Sequence, residues 1–416
     1  SDYSSEGYSA IDPTKAVNVN PDKDGTERQS LHLSASTNLS DTIEVGANFS
    51  SIDTDTEYDS SGTWMTSATD THMLKTMSDD LSAFVKYTDN NWTNRLTVTE
   101  SNLDYDDIKN DTTTETKSNQ TNVRYVTNYR FSTGANNHQI SAGIETTSAS
   151  YTAGVSNHKS QRGGHFVGYN GNFNKFDTQL NLREDNVEAK GSKTLKYKKT
   201  SYLVGAGYNL NDEIKLTASQ ATGFRAPAND ELFASWGNED LKPEEHLSKE
   251  ASVNYTGKEI FTRLTYFTTD TDNGMVYSGS AMANVGKLEN KGFELFTETT
   301  INDILVSASY VMQNPKNPET GELELKRAKR YGKVNVSGSY EGYDFRSTLS
   351  TTGTKQAYGG VKIAGYTKLD LGVSRALRED IKVDLSIENL TDTEYETAAT
   401  YNTAGRSVYL TLTYTP

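Results

Sequence analysis

The sequence predicts an all-β fold, a transmembrane antiparallel β-barrel, and three observations lead to this prediction. Apolar and polar residues alternate in three successive segments near the C-terminus, and short turns alternate with long loops along most of the chain. No apolar run of about 18 residues, the length that a transmembrane helix needs, occurs anywhere. A strand with one apolar face and one highly polar face is typical of a barrel wall, which separates lipid from a wet lumen.

The alternation is clearest between Tyr366 and Pro416. The apolar rows are Leu369, Leu371 and Val373, then Ile381, Val383, Leu385 and Ile387, and finally Val408, Leu410, Leu412 and Tyr414. The residues between them are mostly polar, and in the second segment they include Lys382, Asp384 and Glu388. We therefore predict that the first two apolar rows face lipid and that these three charged residues face the lumen.

Similar hairpins are predicted from about Thr26 onward. Short turns lie at Ser40–Asp41, Asn211–Asp212 and Glu341–Gly342. Longer connections are predicted near residues 53–72, 224–245, 271–285, 313–325, 353–366 and 390–404. This asymmetry is typical of an outer-membrane barrel, whose periplasmic turns are short and whose extracellular loops are long. Counting the periodic segments from Thr26 to Thr415 predicts about 19 strands. The preceding segment, Ser1–Gly25, is interpreted as a loop.

The composition is compatible with a barrel and argues against other classes. The chain is only 34% hydrophobic, which a barrel tolerates because every second strand residue avoids lipid. Intrinsic disorder does not fit 25 Tyr and 13 Phe in regularly alternating segments. A net charge of -15 without a stripe of Lys and Arg disfavours nucleic acid as a partner. The histidines have no catalytic-triad spacing and no glycine-rich phosphate loop is present, so we expect no enzymatic activity.

Carboxylates are concentrated in two segments of the N-terminal part. Asp22 and Asp24 lie in the first predicted loop, and Asp59 and Asp70 lie in the next one, among further acidic side chains. Carboxylate oxygens are hard ligands that suit Ca2+ and suit Zn2+ poorly. From the residues alone, a calcium site and a solvated acidic loop both remain open.

Several motifs resemble those of TonB-dependent outer-membrane receptors, and they follow the family's order along the chain. They are Gly223-Phe224-Arg225-Ala226-Pro227, Glu231-Leu232-Phe233, Gly237-Asn238, Leu241-Lys242-Pro243-Glu244, Asn284-Val285-Gly286, Lys291-Gly292-Phe293-Glu294 and the basic segment Leu325–Arg330. The segments Glu388–Thr397 and Tyr401–Arg406 are similar to the C-terminal strand pair of the family's cobalamin-transporting members. Each motif also has a purely structural interpretation, since glycines and prolines shape turns and charged residues line a wet rim.

The resemblance implies a single barrel domain over residues 1–416, of the 22-stranded type and surrounded by outer-membrane lipid. It also implies a preceding plug domain that TonB binds and three preceding strands, which we expect to be missing from this sequence. An odd number of strands and a start in an external loop lead to the same expectation. We therefore expect a gap or an irregular contact between the strand near Thr26–Leu39 and the last strand.

The resemblance assigns roles to individual residues. In the cobalamin-transporting members the two acidic loops hold calcium ions that order the ligand-binding surface. By this match Asp22, Asp24, Asp59 and Asp70 are Ca2+ ligands, and Tyr58 contacts cobalamin.

Two further positions have alternative interpretations. A carboxylate that the family has after Tyr8 is replaced here by Ser9, and Asp12 is a candidate substitute. Arg225 either contacts the ligand or is only structural.

The implied function is TonB-energised uptake of cobalamin or a related corrinoid at the bacterial outer membrane. A receptor for a ferric siderophore or another nutrient and a passive porin are the alternatives.

Overall fold

The computed structural model describes residues 2–9, 11, 20, 22–59, 71–154 and 156–415, which are mainly in β-strands. The strands are β1 (Asp2–Tyr8), β2 (Asp24–Asn38), β3 (Ile43–Glu57), β4 (His72–Asp89), β5 (Trp92–Lys109), β6 (Thr112–Thr133), β7 (Asn136–Ala153), β8 (Ser156–Phe173), β9 (Phe176–Lys190), β10 (Thr194–Asn209), β11 (Ile214–Arg225), β12 (Glu244–Thr256), β13 (Ile260–Asp272), β14 (Met275–Ser278), β15 (Ala281–Asn284), β16 (Leu288–Ile301), β17 (Ile304–Gln313), β18 (Arg330–Tyr340), β19 (Tyr343–Thr352), β20 (Lys355–Gln356), β21 (Lys362–Ile363), β22 (Tyr366–Arg378), β23 (Ile381–Glu388) and β24 (Ser407–Tyr414). One short helix, α1 (Asn229–Phe233), and a 3-10 turn at Tyr358–Gly360 complete the described secondary structure. Among these residues no helix has the length and apolar character that crossing a membrane requires.

Within the described part of the chain, 20 strands belong to one large sheet, which agrees with the predicted all-β fold. The pairs β14–β15 and β20–β21 are separate hairpins inside long connections. Consecutive strands pair antiparallel from β1 to β9. From β16 to β24 the large-sheet strands also pair with their neighbours, and β19 pairs with β22.

The chain divides into two compact units. The first comprises Ser1–Ala206, Gln220–Leu247 and Thr271–Gly286, and the second comprises Gly207–Ser219, Ser248–Asp270 and Lys287–Pro416. The acidic segments belong to the first unit, and the C-terminal meander belongs to the second.

One face of the C-terminal meander is apolar and exposed, as the alternation predicts. Leu371 pairs with Ile387, and Leu385 pairs with both Val373 and Leu410. Leu410 is 74% exposed, a value that suits a side chain in contact with lipid and would be unfavourable in water.

The opposite face of the same strands is charged. Arg346 Nη1 lies 2.5 Å from Asp384 Oδ2, and Lys382 Nζ lies 3.3 Å from Asp344 Oδ2. Asp384 is opposite Ser374 and Glu388 is opposite Ser407 in the sheet, so these charges share the lumen face. The predicted register is confirmed.

An aromatic row marks the turn end of the first unit. The rings of Trp92 and Tyr129 are 4.6 Å apart, those of Tyr129 and Phe131 are 5.7 Å apart, and Phe173 lies close to the same group across His138. Aromatic side chains concentrate at membrane interfaces, so this row places the short turns at one membrane surface. Strands β4 to β8 have 18 or more residues, whereas about 9–11 are needed to cross. Their far ends therefore extend beyond the membrane on the loop side.

The N-terminal segment differs from the prediction. Asp2–Tyr8 was interpreted as loop but forms β1, in which Tyr3 is opposite Arg28 and Tyr8 is opposite Asp24. Asp2–Tyr8 is a strand because its backbone pairs with the exposed edge of β2. It has no buried apolar face, so its sequence shows no alternation. From β2 onward the large sheet has 19 described strands, as predicted, and β1 raises the number to 20. The odd strand number therefore gives no support to the predicted gap.

The long connections are also more ordered than predicted. Residues 271–285 contain the hairpin β14–β15, and β5 is joined to β6 by a tight turn at residues 110–111. Asn110 adopts a positive φ of 50°, which asparagine tolerates in such turns. Long loops thus alternate with short turns less strictly than the sequence suggested.

The lipid-facing register can be tested at Leu385. We expect Leu385→Lys to lower the free energy of unfolding by about 2–4 kcal/mol, because a lysine near the bilayer midplane is poorly solvated. Ser386→Lys is the matched control, since Ser386 is opposite Gly372 on the lumen face. Urea unfolding in lipid vesicles measures both. Equal losses for the two variants would contradict the register.

Candidate metal centre and ligand-facing surface

Three of the predicted calcium ligands converge at the loop end of β2 and β3. One carboxylate oxygen each from Asp22, Asp24 and Asp59 lie within 4.8 Å of one another. Asp24 begins β2, and Asp59 follows the end of β3 by two residues. Because Thr26 is opposite Thr56 in the antiparallel pair, the chain segments beyond these two residues meet above the strand ends.

Asp59 is the unusual member of this cluster. It is only 7% exposed, and its Oδ2 atom is buried with no hydrogen-bond partner among the described residues. Burial, together with the charges of Asp24 and Asp22, raises the pKa of Asp59 to about 6. A buried carboxylate with unpaired oxygen and two like charges beside it is costly unless a cation is present.

The backbone around the cluster is held by β1 and by one side-chain bond. Gly25 N donates to Glu57 Oε2 at 2.8 Å, which ties the start of β2 to the end of β3. Gly7 has a positive φ of 67°, and a Cβ there would lie 1.7 Å from the carbonyl oxygen of Asp24. Only glycine therefore allows β1 to approach Asp24 this closely.

The cluster fits the chemistry of Ca2+. Calcium binds oxygen at about 2.3–2.6 Å, so two oxygens on one ion are at most about 5 Å apart. The three carboxylates satisfy this limit without any nitrogen or sulfur ligand. Asp22, Asp24 and Asp59 would hold the ion, and its charge would offset the repulsion among them.

Asp70, and the substitute carboxylate Asp12, lie outside the described residues. Ser9 is described, and its hydroxyl donates to the carbonyl oxygen of Ile11 at 3.1 Å. Asp70 thus stays a predicted ligand.

Tyr58 lies beside the cluster on the lumen face of the sheet. Its hydroxyl donates to Asp107 Oδ1 at 2.5 Å, and its ring centroid lies 5.2 Å from that of His72. Burial and the bond to Asp107 raise the pKa of Tyr58, so the phenol stays neutral. The ring is half-buried, and its hydroxyl already has a partner. Tyr58 contact with a ligand stays a prediction.

The partners of Tyr58 were missed in the sequence. His72 begins β4, and Asp107 lies near the end of β5. The burial of Asp107 favours its neutral form, but hydrogen bonds from Tyr58 and Lys109 outweigh it and lower the pKa of Asp107. The only available signal was the acidic run Asp104–Asp107, which does not reveal which strand face each residue occupies.

Arg225 is occupied by two carboxylates. Its Nε donates to Glu244 Oε2 at 2.8 Å, and its Nη1 donates to both oxygens of Glu231 at 3.0 and 2.8 Å. The carboxylates in turn accept from the backbone N–H groups of Ala228 and Met275, at 2.8 and 2.6 Å. Arg225 therefore ties the loop around α1 to the start of β14, and this supports the structural interpretation of its motif. Ligand contact by Arg225 stays a prediction.

These connections also have an apolar core of their own, here called the loop core. It consists of Ala189, Leu232, Leu241, Met275 and Met282, with Leu195, Phe233 and Trp236 packed against it. Phe233 in addition stacks on His158 of β8, with ring centroids 5.5 Å apart. The signal in the sequence was a set of isolated large apolar residues inside otherwise polar loops.

Asparagines from the sequence motifs join the two connections around the loop core. Asn238 Nδ2 donates to the carbonyl oxygen of Met282 at 3.0 Å. Asn284 Oδ1 accepts from Lys242 N at 2.8 Å, and its Nδ2 donates to Lys242 O at 2.9 Å. The motif residues therefore fix the loops to each other.

A family model described as "TonB dependent receptor-like, beta-barrel" matches residues 2–390. The Vitamin B12 transporter BtuB of Photobacterium profundum is 28% identical over 226 residues, a match that covers 51% of this chain. The same match spans only 37% of that relative's length.

Solved structures share the fold at low sequence identity. The ferric-catecholate import receptor Fiu from E. coli has a TM-score of 0.78 at 15% identity, with 96% of this chain and 76% of that one covered. The P. aeruginosa receptor FpvA bound to heterologous pyoverdines has a TM-score of 0.80 at 12% identity, with 94% and 65% covered. The copper transporter OprC has a TM-score of 0.77 at 11% identity, with 96% and 74% covered. Likeness at this identity shows the fold alone.

Proposed function

Because this chain belongs to the family of TonB-dependent receptor-like β-barrels, we propose that it takes up cobalamin or a related corrinoid through calcium-ordered extracellular loops. The protein is a barrel of the outer membrane of Gram-negative bacteria, with outer-membrane lipid around its apolar face. Energy for uptake comes, in this proposal, from TonB. The protein acts as a transporter and not as an enzyme.

The observation that carries the proposal is the buried carboxyl group of Asp59 against Asp22 and Asp24. The resemblance to cobalamin-transporting receptors assigns calcium binding to these three residues, and the structure brings them together. The matched relative is named a vitamin B12 transporter. A cation that binds only the converged arrangement of the loops shifts them toward that arrangement. Tyr58 follows β3 directly beside Asp59, so ordering the cluster also fixes Tyr58.

Calorimetric titration of the receptor expressed from its complete gene tests the proposal. The ligand is cyanocobalamin, added once in the presence of Ca2+ and once with a chelator. Binding that strengthens with Ca2+ supports the proposal. Equal affinity in the two conditions contradicts the calcium mechanism. Absence of binding in both favours the alternative of a ferric siderophore or another nutrient.

The raised pKa of Asp59 gives a prediction for pH. The folded-state pKa of about 6 lies above the ordinary value of 3.8, so the charged carboxylate destabilises the calcium-free loops above pH 6. This penalty falls as the pH drops through that value and is absent below the ordinary pKa. Calcium needs the charged form, so its affinity should be constant above pH 7 and fall roughly tenfold per pH unit well below pH 6.

Calorimetry with Ca2+ at pH 7.5 and pH 5.0 measures this change. We expect binding at pH 5.0 to be about tenfold weaker. Asp59→Asn should remove most of the pH dependence, because an amide does not titrate in this range. An unchanged affinity between the two pH values would show that Asp59 is not a ligand.

A further inference from the structure

A cavity of about 440 Å³ lies between two extracellular connections of the second unit, at residues 314–329 and 353–365. Its charged lining comprises five cationic side chains and one carboxylate, namely Arg327, Lys329, Arg330, Lys355, Lys362 and Glu324. The five positive charges and one negative charge give a local net charge of +4. The whole chain, by contrast, has a net charge of -15.

Only one of these cations is neutralised inside the cavity. Arg327 Nε lies 2.7 Å from Glu324 Oε2. In the part of the chain that the structure describes, Lys329, Arg330, Lys355 and Lys362 have no ion-pair partner. Four like charges around one cavity repel each other, and a bound anion removes this repulsion.

The walls of the cavity are fixed by backbone contacts. Lys355 lies in β20 and Lys362 in β21, and these two strands pair with each other. Lys326 N donates to Gln356 O at 2.6 Å and so joins the two connections. The backbone that carries the cations is therefore ordered before any ligand binds, which lowers the entropic cost of binding.

The position of Arg330 in β18 indicates on which face of the sheet the cavity opens. It begins β18 and is opposite Met312, while Val334 in the same strand is opposite Leu349. Met312 and Leu349 are 43% and 45% exposed members of the apolar outer face. Alternate residues share a face, so Arg330 lies on that face, about 13 Å along the strand from Val334. Arg330 therefore lies at the loop-side end of the apolar outer face.

We propose that this cavity binds phosphate groups, supplied either by lipid A headgroups of the outer leaflet or by a soluble phosphorylated compound. Ammonium and guanidinium groups form strong charge-assisted hydrogen bonds to phosphate oxygens. Each phosphate monoester carries a charge of about -1.5 to -2, so two of them balance the four unpaired cations. The cavity and the carboxylate cluster of the first unit share no residue.

The test uses the receptor expressed from its complete gene and stripped of lipid in detergent. The altered protein carries Lys355→Gln and Lys362→Gln, and the probes are lipid A micelles and inorganic tripolyphosphate. The control carries Lys175→Gln and Lys258→Gln, which remove the same charge from exposed residues at turns between strands. Glutamine keeps most of the side-chain length, and native gel mobility with and without heating shows whether each protein is folded.

We expect the wild-type protein and the control to bind a phosphate probe, and the cavity variant to bind it about tenfold more weakly at low salt. Binding of lipid A alone identifies the lipid headgroup as the source. Binding of tripolyphosphate with similar affinity identifies a soluble phosphate as the source. Equal binding by the cavity variant and the control, or no binding of either probe to the wild type, overturns the proposal.

Discussion

Replacing Asp59 with asparagine is expected to abolish the calcium dependence of cobalamin binding while leaving the barrel folded. The substitution removes the one buried charge of the cluster and keeps the side-chain volume. Loss of one of three carboxylates should weaken Ca2+ binding about 10–100-fold, because ligand charge tunes calcium affinity over several decades. Titration of the full-gene receptor with cyanocobalamin, with and without Ca2+, measures the effect.

Asp41→Asn is the matched control for this experiment. Asp41 is exposed at the opposite end of the same hairpin, in the turn between β2 and β3, and lies far along the strands from the cluster. The control should retain the full response to calcium. A response that survives in Asp59→Asn would remove Asp59 from the proposed site. Loss of the folded barrel in Asp59→Asn but not in the control would instead show that the carboxyl group is structural.

Replacing Arg225 with methionine is expected to loosen the loops around α1 and β14. Glu231 and Glu244 are 15% and 14% exposed, and without Arg225 they would be left largely buried and without the guanidinium that neutralises their charge. Breaking such pairs costs up to about 3–5 kcal/mol when fully buried, but Arg225 is itself 42% exposed. We therefore expect a local loss of about 2 kcal/mol.

Hydrogen exchange locates that loss. The amide groups of Ala228 and Met275 donate to the two carboxylates, so their exchange should accelerate at least tenfold in Arg225→Met. Arg225→Lys should be intermediate, because an ammonium group cannot reproduce the fork of a guanidinium. Arg378→Met, which breaks an exposed pair at a turn, should change nothing near α1. Unchanged exchange with weakened cobalamin binding would instead support ligand contact by Arg225.

The strand register could be predicted because it depends on a local property. Side chains alternate with a period of two, so the positions of Leu385 and Asp384 on opposite faces follow from neighbouring residues alone. The carboxylate cluster was predictable for a different reason. Asp24 and Asp59 flank one hairpin, and antiparallel pairing brings the ends of its strands together.

Contacts between strands distant in sequence could not be predicted in this way. The bond from Tyr58 to Asp107 depends on the register of two successive strand pairs, and an error of one residue in either would place Asp107 on the outer face. The N-terminal strand was missed because its structure comes from the edge of β2. The motif that contains Leu232 was recognised in the sequence, but its packing was not predicted, because the loop core forms only where three connections meet.

The loop core limits how this receptor can be recombined with its relatives. The loop around α1 and the hairpin β14–β15 bury Leu241, Met275 and Met282 against each other and exchange hydrogen bonds through Asn284. A graft of either segment alone into another receptor would expose these apolar side chains and break both bonds between Asn284 and Lys242. A graft that keeps these contacts must therefore include at least the block from Arg225 to Gly286, which also retains both carboxylates that hold the arginine. Its recipient must in addition supply the apolar contacts that Ala189 and Leu195 make here. Evolution of new specificity by exchange of single loops is correspondingly constrained in this part of the molecule.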